Sequence, residues 1–244
     1  MKRTAIVILA AATISNVAAA QAGNDTSLRG DDTAPRESVA VPYRPSEVKV
    51  IVSVANRQLK VVARGDTVLD APVSVASGRE FTYAGRRWRF ATPRGELRVR
   101  GKRTDPVWLP PDWHYAEVAQ AFDLRLRQLP LRGTKLKDGS KLVVQDSIAG
   151  VIFPGDSVFH PLPITEHIVF DSTLFIPPTS TRNRRLLGEL GRYALDLGDG
   201  YLLHGTQDQR SIGIDTTHGC IRLADDDLEW LYENVPAGAT VVIR

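Results

Sequence analysis

Tyr201-Leu202-Leu203-His204-Gly205-Thr206, followed by Thr217-His218-Gly219-Cys220-Ile221-Arg222-Leu223, holds the only cysteine of the chain and two of its five histidines. Tyr201 to His204 read as the end of a short apolar strand. Glycines at 205, 213 and 219 are breakers that let the backbone turn or approach closely. His218 and Cys220 stand two apart, so an extended segment points them to the same side. Setting the His204 strand beside the segment from Thr217 to Cys220 brings an imidazole to the sulfur. It also leaves the Gly219 and Cys220 amides to face a developing oxyanion.

The N-terminus bears on the purpose of that cysteine. Lys2-Arg3, an apolar run from Ala5 to Ile14, and Ala18-Ala19-Ala20 before Gln21 predict a signal peptide over residues 1–20. The run is too short to span a bilayer, and no cysteine near the cleavage site offers a lipid attachment point. The expected product is exported to the periplasm or cell envelope, with no integral membrane segment after signal removal. A lone thiol in an oxidising compartment is buried, paired with another chain, or kept for its reactivity. A neighbouring base makes a thiol a nucleophile, and two imidazoles are near in sequence.

The formal charge of +3 includes Lys2 and Arg3, and falls to +1 without them. Such a balance argues against a nucleic-acid partner, which calls for a clustered basic face. With 24% charged and 43% hydrophobic residues, the rest has an ordinary globular composition. Residues 21–46 are rich in Asp, Ser, Thr, Gly and Pro and predict a disordered tether; residues 47–244 predict one folded domain.

That domain begins with β patterns. Val48, Val50 and Val52 alternate with polar neighbours, and Leu59, Val61 and Ala63 do so after the Asn56-Arg57 turn. Further strands are expected at Asp66 to Val75, Arg86 to Phe90 and Glu96 to Val99, with a turn at Ala91-Thr92-Pro93-Arg94-Gly95. Asp112 is read as a helix cap, because Tyr115, Val118, Phe122, Leu126 and Leu129 follow at helical spacing, with Glu117, Asp123, Arg125 and Arg127 on the other face. Residues 130–164 are punctuated by glycine and proline, with apolar runs at Leu142 to Val144 and Val151 to Phe153. His167 to Phe170 and Leu174 to Ile176 read as a strand pair, and Thr181 to Arg185 as a solvated basic cluster. Asp225-Asp226-Asp227 are expected to cap a last helix with Leu228, Leu231, Tyr232 and Val235 on one face, and Thr240 to Ile243 to close the fold.

His-Gly-Thr, then Ser211-Ile212-Gly213, then Thr217-His218-Gly219-Cys220-Ile221-Arg222-Leu223 resemble the YkuD-type L,D-transpeptidase catalytic domain. The twelve residues between His204 and Thr217 are like the ErfK and YbiS branch. Thr92-Pro93-Arg94-Gly95, Trp108-Leu109-Pro110-Pro111 and the approach from Leu190 to Leu195 resemble other parts of the family. Other branches have Asn at Arg222 and some have Ser at Gly205, where here a backbone carbonyl can orient the imidazole.

The resemblance implies a mainly β fold, a sandwich or part-open barrel with a few short helices, carrying an insertion over about 112–180. It implies that Cys220 is the nucleophile and His204 the general base. Gly219 and Cys220 supply oxyanion donors, Thr217 and His218 shape the site, and Arg222 is a structural or substrate-orienting cation. Peptidoglycan stem peptides are the implied partners, and a cysteine thioester the implied intermediate toward 3→3 cross-links. A Cys/His pair needs neither metal nor other cofactor, and there is no phosphate-binding loop. Three readings stand beside this one: an L,D-carboxypeptidase or other wall hydrolase on the same site, a zinc site on His204, His218 and Cys220, and a non-catalytic wall-binding domain with an inert buried thiol. No role is assigned to His114, His160 or His167.

Overall fold

The computed structural model describes the two-residue strand Leu9–Ala10 and residues 43–244. The expected signal peptide and tether otherwise lie outside the described residues. Tyr43 packs against the domain core under the Arg64 guanidinium, and Glu47 bonds back to Arg44 across a turn.

Alternating valines bury one face of the strand Val48–Ser53, and its backbone supplies the middle of a five-stranded sheet. Gln58–Ala63 pairs antiparallel on one side, followed by Asp66–Pro72; Thr240–Ile243 pairs parallel on the other, followed by Gly95–Arg98. Val50 lies opposite both Val61 and Val241, so three apolar residues form one row across the sheet.

A second sheet runs Ile221–Arg222, Tyr201–His204, Tyr193–Gly198, Gly101–Thr104. Its inward side chains, Leu195, Leu197, Leu203 and Ile221, share one core with Val50, Val52, Leu59, Val61, Val241 and Ile243. Burying each stabilises the fold by about 1.5–3 kcal/mol. The sheets do not close into a barrel. Helix α2, Asp225–Asn234, lays Leu228 and Leu231 on this core. Ala224, not an aspartate, occupies its N-cap position, and Asp225, Asp226 and Asp227 fill the first turn, where carboxylates suit the helix dipole.

The segment from Asp112 to Ile176 builds cores of its own. Helix α1, Asp112–Ala121, has Pro111 at its N-cap; Asp112 is the first helical residue and makes no cap. The helix stops at Ala121, and Asp123 adopts a left-handed φ of 50°. The chain then continues as the strand Arg125–Gln128, parallel to Thr173–Ile176. The helical spacing through Phe122, Leu126 and Leu129 was therefore coincidental. Pairing with a strand nearly fifty residues away outweighs the local period, and leaves Phe122 47% exposed.

Two tight hairpins follow, Lys141–Gln145 with Ile148–Ile152 and Glu166–Phe170 with Thr173–Ile176. Each turns through two consecutive positive-φ residues, Asp146-Ser147 and Asp171-Ser172, as the twist of a two-residue hairpin demands. Leu142, Ala149, Val151, Ile168 and Phe175 form one small core, and Tyr115, Val118, Val169, Leu174 and Ile176 another against α1. Leu9–Ala10 pairs antiparallel with the outer edge at Glu166 and His167.

Truncating the fully buried Leu231 to Ala is expected to cost about 2–5 kcal/mol in chemical denaturation. Phe122→Ala, placed on the helix face by its spacing but exposed by the fold, is expected within about 0.5 kcal/mol of wild type.

Candidate active site

The site is framed by one parallel pairing, Leu203 with Ile221 and His204 with Arg222. Leu203 and Ile221 are 0% and 1% exposed in the core. Alternation therefore turns His204, Arg222 and, two residues before it, Cys220 to the opposite face. The Leu223 amide donates to the His204 carbonyl at 3.0 Å, continuing the pairing past the strand end.

His204 is buried, and its Nδ1 lies 2.7 Å from the Gly205 carbonyl oxygen. A carbonyl only accepts, so Nδ1 carries the proton and Nε2 keeps its lone pair. Burial, assisted by the Arg222 charge and opposed by this hydrogen bond, pushes the imidazole down to about 4. It is neutral near pH 7. Gly205 is closely surrounded: a Cβ there would lie 2.9 Å from Oδ1 of the exposed Asp225, whose carboxylate can move aside, and 3.3 Å from both Gly191 Cα and Leu228 Cδ2. Gly191, at φ 70°, is stricter, because its Cβ would meet the Gly205 Cα at 2.8 Å. The two backbones touch where the Gly205 amide donates to the Leu190 carbonyl at 2.9 Å.

Cys220 is a half-buried free thiol whose Sγ faces the Gly200 carbonyl at 3.7 Å. Burial pushes the thiol up, against a backbone bond from Leu202 and the charge of Arg222. The pair thus rests as thiol and neutral imidazole. Thr217 Oγ1 donates to the Cys220 carbonyl at 2.6 Å and accepts from the Gly219 amide at 3.3 Å, closing the turn that presents the sulfur. Gly219 has φ 150° and passes so near Tyr201 that a Cβ would stand 3.0 Å from the ring. Upstream, the buried Thr92 of the Thr-Pro segment accepts from the Ala76 amide at 2.9 Å, and Ser77 donates to the Thr217 carbonyl at 3.0 Å. The Thr-Pro segment thereby supports the Thr217 end of the motif.

Arg222 is held from two sides. Its amide and carbonyl bridge to Ser74, and a terminal guanidinium nitrogen donates to Ser211 Oγ at 2.8 Å. Burial lowers its basicity, while Asp208, Cys220 and Glu189 oppose that. Its Nε is buried with no hydrogen-bond partner among the described residues.

His218 leaves this face and joins an aromatic cluster. Its ring stacks on Trp113 at 3.9 Å and 10°, with the edge of Phe90 at 4.3 Å. Nε2 meets the Glu117 carboxylate at 3.1 and 3.3 Å. Burial alone would raise Glu117, but His218 and Arg79 hold it below the ordinary carboxylate range. Glu117 and Trp113 were not legible as site residues: helical spacing placed Glu117 on the polar face of an amphipathic helix.

Arg184, expected in a solvated cluster, is 6% exposed. Its guanidinium donates to the Pro110 and Pro177 carbonyls at 2.8 and 2.9 Å and to Asp112 at 3.1 Å, over the Tyr115 ring. These bonds explain the burial of a basic residue. His160 faces Asp156 on the surface, whereas His114 and His167 stack at 5.7 Å between α1 and the strand Glu166–Phe170. Burial, then the proximity of His167, pushes His114 down to about 4. Among the described residues no three His, Cys, Asp or Glu side chains gather as metal ligands would, and no helix is long and apolar enough to cross a membrane.

His114 and His204 both fold at about 4 against an unfolded value of about 6.5. A depressed folded value gives stability that is present above pH 6.5 and lost as pH falls toward 4. Each contributes up to about 3 kcal/mol to that loss. Thermal unfolding across this window should fall in Tm, and His114→Phe should remove part of the fall; an unchanged Tm from pH 7 to 4.5 would refute the neutral burial of both rings.

The family model for the L,D-transpeptidase catalytic domain, YkuD, matches residues 47–243. Over 54 residues the chain is 44% identical to the probable L,D-transpeptidase ErfK/SrfK of Escherichia coli strain K12, and over 52 residues 44% identical to the probable L,D-transpeptidase YbiS of the same strain. Those stretches are 22% and 21% of this chain, and 17% of either relative's length. Among solved structures, an L,D-transpeptidase from Mycobacterium smegmatis aligns at a TM-score of 0.42 and 16% identity, covering 81% of this chain and 58% of that one. L,D-transpeptidase 3 from Mycobacterium tuberculosis, in complex with a faropenem-derived adduct, gives 0.42 and 16%, covering 81% and 60%. The family match runs through both sheets, the segment between them and the His204 and Cys220 segments alike, and the chain belongs to the YkuD family of L,D-transpeptidase catalytic domains.

Proposed function

We propose that this chain is an exported cysteine acyltransferase that forms 3→3 cross-links, or related attachments, between peptidoglycan stem peptides. The observation that carries the reading is the strand pairing that turns His204 and Cys220 to one face, with the Gly205 carbonyl leaving Nε2 of the imidazole open.

The uncharged resting pair sets the order of events. As Cys220 Sγ attacks the carbonyl carbon of the third stem residue, its proton passes to His204 Nε2. The carbonyl becomes an oxyanion facing the Cys220 amide, on the turn shaped by Thr217 and His218; the Gly219 amide, expected as a second donor, already donates to Thr217 Oγ1. Collapse breaks the amide bond, and the His204 proton leaves with the terminal D-alanine amine. A neighbouring stem's amine then attacks the thioester, gives its proton to His204, and expels the Cys220 thiolate, which recovers that proton. One amide is broken and one made, so no cofactor or energy donor is needed. We assign Arg222 the role of a structural or substrate-orienting cation, its guanidinium held beside the thiol by Ser211.

Intact mass after incubation with a carbapenem tests the reading. Wild type should gain one adduct, Cys220→Ala none, and His204→Ala should react about a hundredfold or more slowly. A folded wild type with a free thiol and no adduct would favour an inert wall-binding domain. Products from a tetrapeptide stem then separate the outcomes: a cross-linked dimer supports transfer, whereas a tripeptide alone assigns the thioester to water and makes the protein a carboxypeptidase.

A further inference from the structure

The segment from Asp112 to Ile176 reaches the cysteine motif through one helix face. Trp113 and Glu117 stand four residues apart on α1 and therefore side by side. Trp113 covers one face of the His218 ring at 3.9 Å, Phe90 meets it edge-on at 4.3 Å, and Glu117 takes Nε2 at 3.1 Å. The first contact fixes the plane of the imidazole, the last its rotation within that plane. Glu117 is itself held by Arg79, whose guanidinium also lies over Phe81 and Phe90. At its N-terminus α1 is tied down by Asp112, which bonds Arg184, Arg86 and Gln128. The clamp is anchored at both ends.

What it clamps is one residue from Gly219 and two from Cys220. Gly219 has no side chain to pack and sits at φ 150°, so the backbone between His218 and Cys220 is held by the Thr217 hydroxyl, while only the sulfur itself reaches the Gly200 and Leu202 backbone. We propose that Glu117 and Trp113 are positioning residues that act through His218, holding the Gly219-Cys220 backbone and the Cys220 amide where acylation needs them. Helix α1 is then part of the reaction machinery and not an ornament on it. The proposal rests on Cys220 being the acylated thiol.

The test measures carbapenem acylation of the full chain over a concentration series for wild type, Glu117→Gln and Trp113→Phe, with Tm for each. Loss of a charge-assisted bond should lower the limiting acylation rate of Glu117→Gln about tenfold to a hundredfold. The half-saturating concentration should move less than about threefold, and the Tm should fall by roughly 3–12 °C at most, leaving the protein folded at the assay temperature. A purely structural role would lower Tm in the same way but leave the limiting rate of the folded fraction intact. A folded Glu117→Gln acylated at the wild-type rate overturns the proposal; should that variant not fold, Trp113→Phe carries the same comparison. If wild type takes up no carbapenem, the acyl-donor reading falls separately. Alkylation of Cys220 by iodoacetamide then decides the positioning role, with equal rates in wild type and Glu117→Gln counting against it.

Discussion

Everything near the thiol depends on one parallel pairing of two short strands, Tyr201–His204 and Ile221–Arg222. Leu203 and Ile221 drive it by entering the core shared by both sheets, and alternation then has no choice but to send His204, Cys220 and Arg222 the other way. Hydrophobic burial on one face therefore sets the register of the chemistry on the other. A slip of one residue would exchange the faces and put an imidazole into the core.

Much of this was legible in the chain itself. The valine alternation from Val48, the strand ending at His204, and the closing strand Thr240–Ile243 are local patterns, and local patterns survive folding when the core agrees with them. The ends of α1 and the position of Asp112 were not legible. There a helical period continues through Phe122, Leu126 and Leu129, but the parallel partner of Arg125–Gln128 arrives forty-odd residues later, and no window short enough to show a period contains both. The burial of Arg184 was hidden for the same reason. Its acceptors are carbonyls of Pro110 and Pro177 and the carboxylate of Asp112, brought together only by the fold. Glu117 looked like any charged residue on a helix, since its partner lies 101 positions away.

The electrostatics of the site follow from burial. Burial acts on His204, Cys220 and Arg222 in the same sense, against charge, and the three differ only in what answers it. The imidazole and thiol yield and stay neutral, whereas the guanidinium keeps its charge through its own high basicity, with Ser211, Asp208 and Glu189 nearby to offset its burial. One fixed positive charge beside two neutral groups favours any step that makes negative charge on sulfur or carbonyl oxygen.

Gly191 touches none of these groups, yet its backbone lies so close to that of Gly205 that no side chain fits between them. The carbonyl that selects the imidazole tautomer is thus seated against a residue with no functional group at all. In a survey of inactive variants this position would stand among the catalytic ones, and an inspection confined to side chains that carry chemistry would pass over it. For this fold, the map of residues that abolish activity is wider than the map of residues that perform it.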